Sequence, residues 1–276
     1  MGRFISRAML TAIVLSVILL KCSQARRLEL PQHHRTPRSH HHNNSSRTLI
    51  YITTHLSTQH YTFLKYCWPG LLQSLPLFQR SEFMMFVTPK HEQDKIDMEL
   101  VESIFARTGI AVHVRRNPGY QEGAILGLTE AYKYGWFEGY DWVVRVNPDV
   151  LIWNDTYLLQ SMANDRISGI FADCLDRPCD GGRNCVQRLI HTDFFAIRPA
   201  AISRAEIIGA NNKNAERMAT IAFSGIVKNG SDAWLPGTGP HGGRCRVGGA
   251  LSPVIHDHSN KTLERCQSLT GTRSFR

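Results

Sequence analysis

Apolar and polar residues alternate with a period that changes along this chain, and the changes divide it into elements. TLIYITTH (48–55) is an apolar, β-branched run, the pattern of a buried strand. Residues 58–75 carry apolar groups at helical spacing. Pro69 falls inside them and is expected to break or kink that helix, because proline has no N–H to give and crowds the preceding turn. EFMMFVTP (82–89) predicts a second strand ending at Pro89. Residues 92–107 put Ile96, Leu100, Ile104 and Phe105 on one face, an amphipathic helix. IAVHVRR (110–116) is a third strand, residues 122–134 a helix, and Tyr140–Val146 a fourth strand, after a tight connection at Gly135 and Gly139.

Four strand–helix alternations in succession predict a parallel sheet with helices on both faces. The second half is less regular. Asn154-Asp155-Thr156 caps a short helix through Met162. ISGIFAD (167–173) is a strand, and LIHTDFFAIRPAAI (189–202) is a strand followed by a helix entered through Pro199. Residues 214–228 predict a helix. Residues 229–250 form a long glycine-rich loop, of a length that often marks a binding lid. LSPVIHDH (251–258) is a short late strand ending in two histidines.

In a parallel sheet of this kind, ligands lie beyond the carboxyl ends of the strands. That rule selects residues 53–57, 88–91, 117–122 and 147–149. No GxGxxG or Walker pattern occurs in them, which argues against dinucleotide dehydrogenases and P-loop enzymes. The last segment interrupts DWVVRVNPDVLIWND (141–155). Pro148 has no N–H for a ladder, so the fourth strand stops there. Asp149 is then either an ordinary turn residue or an acid delivered to a ligand.

Composition adds compartment and boundaries. The chain has 276 residues, 42% of them hydrophobic, enough for one large domain with a real core. Arg3 and Arg7 precede an uncharged apolar run, Ala8–Leu20, which Lys21 ends. That run is short for a bilayer span and suits a signal peptide cleaved after Ala25, with a short signal anchor as the alternative. Residues 26–47 are rich in Arg, His, Pro, Ser and Asn and predict a disordered stem. His33, His34, His40, His41 and His42 are expected to be solvated there. Much of the net charge of +9 sits in residues 1–47, ahead of the folded part, and no basic helix with interleaved aromatics points to nucleic acid. The expected organisation is 1–25 leader, 26–47 stem, 48–259 domain and 260–276 tail.

N-glycosylation patterns at Asn43, Asn44, Asn154, Asn229 and Asn260 agree with a lumenal domain. With Cys22 set aside, Cys67, Cys174, Cys179, Cys185, Cys245 and Cys266 allow fifteen disulfide pairings. The spacing of Cys174, Cys179 and Cys185 favours a disulfide-clasped loop over a zinc knuckle.

The apolar strand leading into Asn147-Pro148-Asp149, then HTDFFAIRP, then a late IHDH, resembles the nucleotide-sugar glycosyltransferases of the GT-A fold. The resemblance covers roughly Thr48–Ser259 and is similar to algal and protist members of uncharacterised specificity. It implies an α/β, Rossmann-type mixed sheet flanked by helices, in a single catalytic domain. The short apolar segment and stem imply a Golgi-lumenal, single-pass type II protein, or a secreted one if cleaved. The implied reaction moves a hexose or similar sugar from a UDP- or GDP-linked donor to a glycan or glycoprotein acceptor. Mn²⁺ or Mg²⁺ would serve as cofactor, since a hard divalent cation offsets the charge of a departing diphosphate.

By this resemblance Asp149 is the metal ligand. Asn147 stands where the family has its first acid and reaches the metal or a ribose hydroxyl through its carbonyl. His256 completes the shell in preference to His258, the two facing opposite ways on a strand. Thr53, Thr54, His55, Tyr120 and Gln121 would meet the nucleotide, Tyr120 by stacking on the base. Asp193 interrupts an apolar strand and is the leading acceptor-side acid or base, with a salt bridge to Arg198 or Arg188 as the structural alternative. Asp232 is a further base, Asp173 a weaker candidate of the same kind, and Trp234 a sugar-stacking residue or loop anchor. Strand alternation turns Arg145 away from Val144 and Val146, toward a helix. Two other classes remain: a non-catalytic sugar-binding protein of the same fold, and a secreted hydrolase using the His-Asp-His tail as a three-ligand metal site.

Overall fold

The computed structural model describes residues 46–90, 97–175, 188–210, 212–236, 252–256, 263, 264 and 266. Strands β1 (Thr48–Thr54), β2 (Glu82–Val87), β3 (Ala111–Val114) and β4 (Trp142–Val146) lie in the order β3-β2-β1-β4, all parallel. The helices between them are α1 (Thr58–Tyr66), α2 (Trp68–Ser74), α3 (Pro76–Gln79), α4 (Met98–Ile104) and α5 (Tyr120–Lys133). After β4 come β5 (Val150–Ile152), α6 (Thr156–Ala163), β6 (Gly169–Leu175) and β7 (Arg188–Ile197). The chain then forms α7 (Arg204–Gly209), α8 (Ala215–Ala222), α9 (Ser224–Lys228), β8 (Asp232–Trp234) and β9 (Val254–His256).

The large sheet continues past β4 as β7-β6-β8. Strand β7 runs antiparallel to β4, β6 antiparallel to β7, and β8 parallel to β6. A small second sheet pairs β5 with β9, antiparallel. The predicted α/β mixed sheet flanked by helices is the observed one.

Period-two alternation sorts side chains onto the two faces of the sheet. Ile50, Ile52, Val144, Val146, Phe194 and Ala196 pack with α1 to α4 and α6. Leu49, Tyr51, Val143, Phe195 and Ile197 pack with α5, α7 and α8. Every residue of β1 and β4 is buried, which is why both strands lack polar alternation and read as continuous apolar runs.

Several expected elements differ in detail. Pro69 does interrupt the 58–75 helix: α1 ends at Tyr66, and Pro69 sits in the first turn of α2. The amphipathic helix starts at Met98, where the Asp97 side chain accepts the Leu100 N–H at 2.9 Å. Its buried face is centred on Val101 and Phe105, with Leu100 and Ile104 only half-buried. Pro199 opens a single 3₁₀ turn, Pro199–Ala201, and no α-helix. The α-helix begins five residues later, because Ser203 and Glu206 form a reciprocal capping box, the stronger start signal. The 214–228 helix is broken at Phe223 into α8 and α9.

The leader and stem, Cys179 and Cys185 of the expected clasp, most of the glycine-rich loop and His258 lie outside the described residues. Cys67 is bonded to Cys266, joining the end of α1 to a segment beyond β9. Among the described residues, no helix is long and apolar enough to cross a membrane.

Asp155 shows how distant elements are tied together. It precedes α6, yet its carboxylate does not cap that helix. It is buried and accepts the Leu77 N–H at 2.7 Å, serving the amino end of α3. Asp155→Ala leaves a buried N–H without its acceptor and is expected to cost about 1–3 kcal/mol, measurable as a lower urea midpoint at unchanged m-value.

Candidate active site

The carboxyl edge of β1 and β4 opens into a cleft of about 440 Å³. Its floor is the turn after β4. The Asn147 N–H bonds the Asp193 carbonyl at 3.0 Å, and the Val150 N–H bonds the Asn147 carbonyl at 3.0 Å. The Trp68 indole N–H, from the other core face, holds the Pro148 carbonyl at 2.9 Å. With its backbone fixed on three sides, the turn aims Asp149 inward, where it is 1% exposed.

A bare buried carboxylate is costly, and Asp149 has an imidazole at each oxygen. His60 Nε2 lies 3.3 Å from Oδ1, and His256 Nε2 lies 3.5 Å from Oδ2. His60 comes from α1, which Ser57 caps by accepting the His60 N–H. The Thr54 hydroxyl accepts the Leu56 N–H and meets His60 Nδ1 at 2.9 Å. Donation from that hydroxyl to Nδ1 leaves the Nε2 proton directed at Asp149. Leu56, between Thr54 and Ser57, holds φ at +52°, strain of the kind stored at functional sites. His256 arrives through topology: β5–β9 pairing puts it opposite Val150, one residue from Asp149.

A second network runs across the strands with a defined direction. Arg145 Nε donates to Thr53 Oγ1 at 3.1 Å, Thr53 Oγ1 to Asn147 Oδ1 at 2.7 Å, and Asn147 Nδ2 to Asp193 Oδ1 at 2.7 Å. Arg145 does face the α5 side of the sheet, as alternation requires, and packs over the Phe195 ring at 5.5 Å. Its length still carries the guanidinium to the cleft, which it lines. Burial lowers its pKa.

Asp193 Oδ2 lies 3.7 Å from His256 Nδ1 and 3.8 Å from His191 Nδ1. Burial works to raise the Asp193 carboxyl pKa, but His191, His256 and Arg145 outweigh it and hold it below the usual carboxylate range. His191 Nδ1 accepts the Asp193 N–H at 3.1 Å. Burial pushes the His191 pKa down to about 4.

Of the residues singled out from sequence, Thr53, Thr54, His55, Gln121, Asn147, Asp149, Asp193 and His256 converge on this one cleft. Gln121 also accepts the Ala215 N–H at 2.7 Å, so it joins α5 to α8. Tyr120 opens α5, following Gly119, whose φ of +139° is open to glycine but strained for other residues. Asp232 and Trp234 lie on β8, the edge strand, where the indole N–H donates to the Asp232 carboxylate; neither lines the cleft. Asp173 is buried on β6 beside a register shift, also away from it. Arg198 does not pair with Asp193; it donates to the Ile167 and Met162 carbonyls and lies over Trp142.

Lys90 and Asn117 fall within the strand-end segments selected from the sequence; His60 and His191 were not among the sequence candidates. His-x-Asp on a strand places both side chains on one face, a signal for His191 that was present in HTDFF. His60 carried none, since its role depends on where α1 docks.

No family model matches the sequence, and no curated protein matches it. Among solved structures, the chain is similar to core-mannan synthase A from Aspergillus fumigatus in its Mn/GDP form. The identity is 10%, 85% of this chain and 87% of that one are covered, and the TM-score is 0.51. The fold is GT-A. A mannosyltransferase from Pyrobaculum calidifontis, in complex with GDP-Man and Mn²⁺, is 14% identical over 86% of this chain and 66% of its own, at a TM-score of 0.44. Mouse xyloside xylosyltransferase 1 is 8% identical over 78% and 98%, at 0.43. At these identities the likeness is one of GT-A architecture alone.

Proposed function

We propose that this protein is a glycosyltransferase that moves a sugar from a nucleoside diphosphate donor, UDP- or GDP-linked, to a glycan or glycoprotein acceptor. The observation that carries this reading is the Asp149–His256 pair, 3.5 Å apart at the carboxyl edge of a GT-A sheet. It faces a cleft of nucleotide size. The Mn/GDP form of the similar core-mannan synthase supports the donor class.

The donor set fits a divalent cation. A buried carboxylate oxygen and an imidazole nitrogen face each other, and His191, Asp193 and His256 bring ligand atoms within 4.8 Å of one another. Asp149 and His256 would hold Mn²⁺ or Mg²⁺, which supplies charge stabilisation for the departing diphosphate. His60 fixes the Asp149 carboxylate from behind, as outer partners of metal ligands do. Thr53, Thr54 and His55 at the end of β1, with Lys90 after β2 and Asn117 after β3, line the donor side of the cleft. Thr192, Asp193 and Glu216 line the other flank, the Thr192 hydroxyl donating to Glu216 at 3.1 Å. The amino-terminal apolar segment, the stem and the glycosylation patterns support a place in the secretory pathway, as a Golgi type II protein or a secreted one.

A panel of UDP- and GDP-linked sugars, scored for nucleotide release, tests the reading. Hydrolysis of one donor class is expected, abolished by EDTA and restored by Mn²⁺. Absence of turnover with every donor in the presence of Mn²⁺ would overturn it in favour of a sugar-binding protein of the same fold.

A further inference from the structure

Arg145 is 1% exposed, and a guanidinium buried to that degree ordinarily has its N–H groups paired. Here only Nε is. It donates to Thr53 Oγ1 at 3.1 Å, while the group packs over the Phe195 ring at 5.5 Å. Among the described residues, the two terminal nitrogens meet no hydrogen-bond acceptor, and no carboxylate stands within ion-pair distance. They open instead on the cleft, which Arg145 lines. Two neighbours on the same flank have spare capacity as well. Gln121 Oε1 accepts the Ala215 N–H at 2.7 Å, which ties α5 to α8 and leaves Nε2 without a protein acceptor. Glu216, the next residue, takes the Thr192 hydroxyl on Oε1 at 3.1 Å and has no protein donor on Oε2. Both line the cleft.

Donors and an acceptor are therefore unpaired together. A phosphate or carboxylate would answer the guanidinium and the amide but would meet Glu216 with like charge. Nor does the flank lack negative charge, since Asp193 and Glu216 both act on Arg145 through space. A hydroxyl donates and accepts at once, so a pair of adjacent hydroxyls satisfies all three groups. We propose that Arg145, Glu216 and Gln121 form a subsite for two adjacent ring hydroxyls of the transferred sugar. Asp149 is backed by His60 of α1 on one face of the sheet, and Arg145 faces α5 on the other. A donor with its diphosphate at Asp149 and His256 thus has its sugar in the same cleft, toward Arg145. A nucleotide-linked hexopyranose offers the adjacent pairs O2–O3 and O3–O4, and the 3-hydroxyl belongs to both. The subsite makes that hydroxyl a requirement and leaves the 6-hydroxyl unread. This inference rests on the donor reading above and adds what is read in the sugar.

Calorimetric titration of the purified full chain tests it, with Mn²⁺ present and no acceptor. The probes are UDP-glucose and GDP-mannose, the 3-deoxy and 6-deoxy analogue of each, and UDP and GDP. For the sugar nucleotide that binds better, loss of the 3-hydroxyl is expected to weaken binding about tenfold or more, because buried polar groups lose their partner. Loss of the 6-hydroxyl should change it by less than about threefold, since no buried group is left unpaired. Glu216→Gln and Arg145→Lys are expected to abolish the preference for the 3-hydroxyl. A merely structural role for either residue would lower affinity for every probe alike and keep the preference. The inference is overturned if the 3-deoxy analogue binds like the full sugar, if the 6-deoxy analogue loses as much, or if Glu216→Gln keeps the preference. Where Arg145→Lys fails to fold, the analogues on the parent protein and Glu216→Gln decide. Failure of the underlying reading looks different: UDP, GDP and both sugar nucleotides would all fail to bind the parent protein.

Discussion

Asp149→Asn is expected to lower Mn²⁺-stimulated donor hydrolysis about a thousandfold, because a Lewis-acid contribution of several kcal/mol is lost with the ligand. The substitution is nearly isosteric, and Asp149 approaches His60 and His256 through its side-chain oxygens. A carboxamide keeps one acceptor, so the turn from Asn147 to Val150 should survive, and the thermal midpoint with EDTA should fall by only a few degrees. Activity lost without the fold separates a ligand from a turn residue. If Asp149→Asn retains more than a tenth of the parent hydrolysis, the cation does not sit at Asp149.

The largest stability effect is expected at Trp68. The side chain is fully buried, stacked on Phe78 at 5.5 Å and tilted on Phe105 at 5.8 Å. Trp68→Ala removes that packing and should cost about 3–5 kcal/mol, read by denaturant unfolding. Trp68→Phe is the more informative change. It keeps most of the apolar surface but removes the N–H that holds the Pro148 carbonyl, costing about 1–3 kcal/mol for a buried acceptor left without its donor. Since that carbonyl belongs to the turn presenting Asp149, Trp68→Phe should also weaken Mn²⁺ binding. A stability loss with unchanged Mn²⁺ affinity would show that the turn keeps its shape without the indole.

The first half of the fold was legible because its strands are buried on both faces and its helices are amphipathic, so the two periods alternate cleanly. The rule that ligands lie at the carboxyl edge of such a sheet then selected Thr53–His55 and Asp149 without knowledge of any contact. The second half was less legible for physical reasons. The antiparallel insertion of β7 beside β4 is set by how the chain returns, which periodicity does not encode. β5 and β9 are three-residue strands, too short for a pattern, yet their pairing delivers His256. Asp232 and Trp234 looked like parts of a loop because glycines surround them, while their backbone completes the sheet edge beside β6. The Asn147 position was visible as a departure from acid-x-acid; the hydrogen bond from its amide to Asp193 depends on the strand order, which periodicity does not encode.

Asp149 lies between two imidazoles from distant parts of the chain, His60 on α1 and His256 on β9, and Cys67–Cys266 links the end of α1 to a segment beyond β9 covalently. A ligand held by Asp149 and His256 has no counterpart site in the unfolded chain, so its binding adds to the folding free energy. At a hundred times its dissociation constant such a ligand adds about 2.7 kcal/mol. On the proposed reading, the nucleotide sugar that raises the melting temperature most in the presence of Mn²⁺ is expected to be the donor.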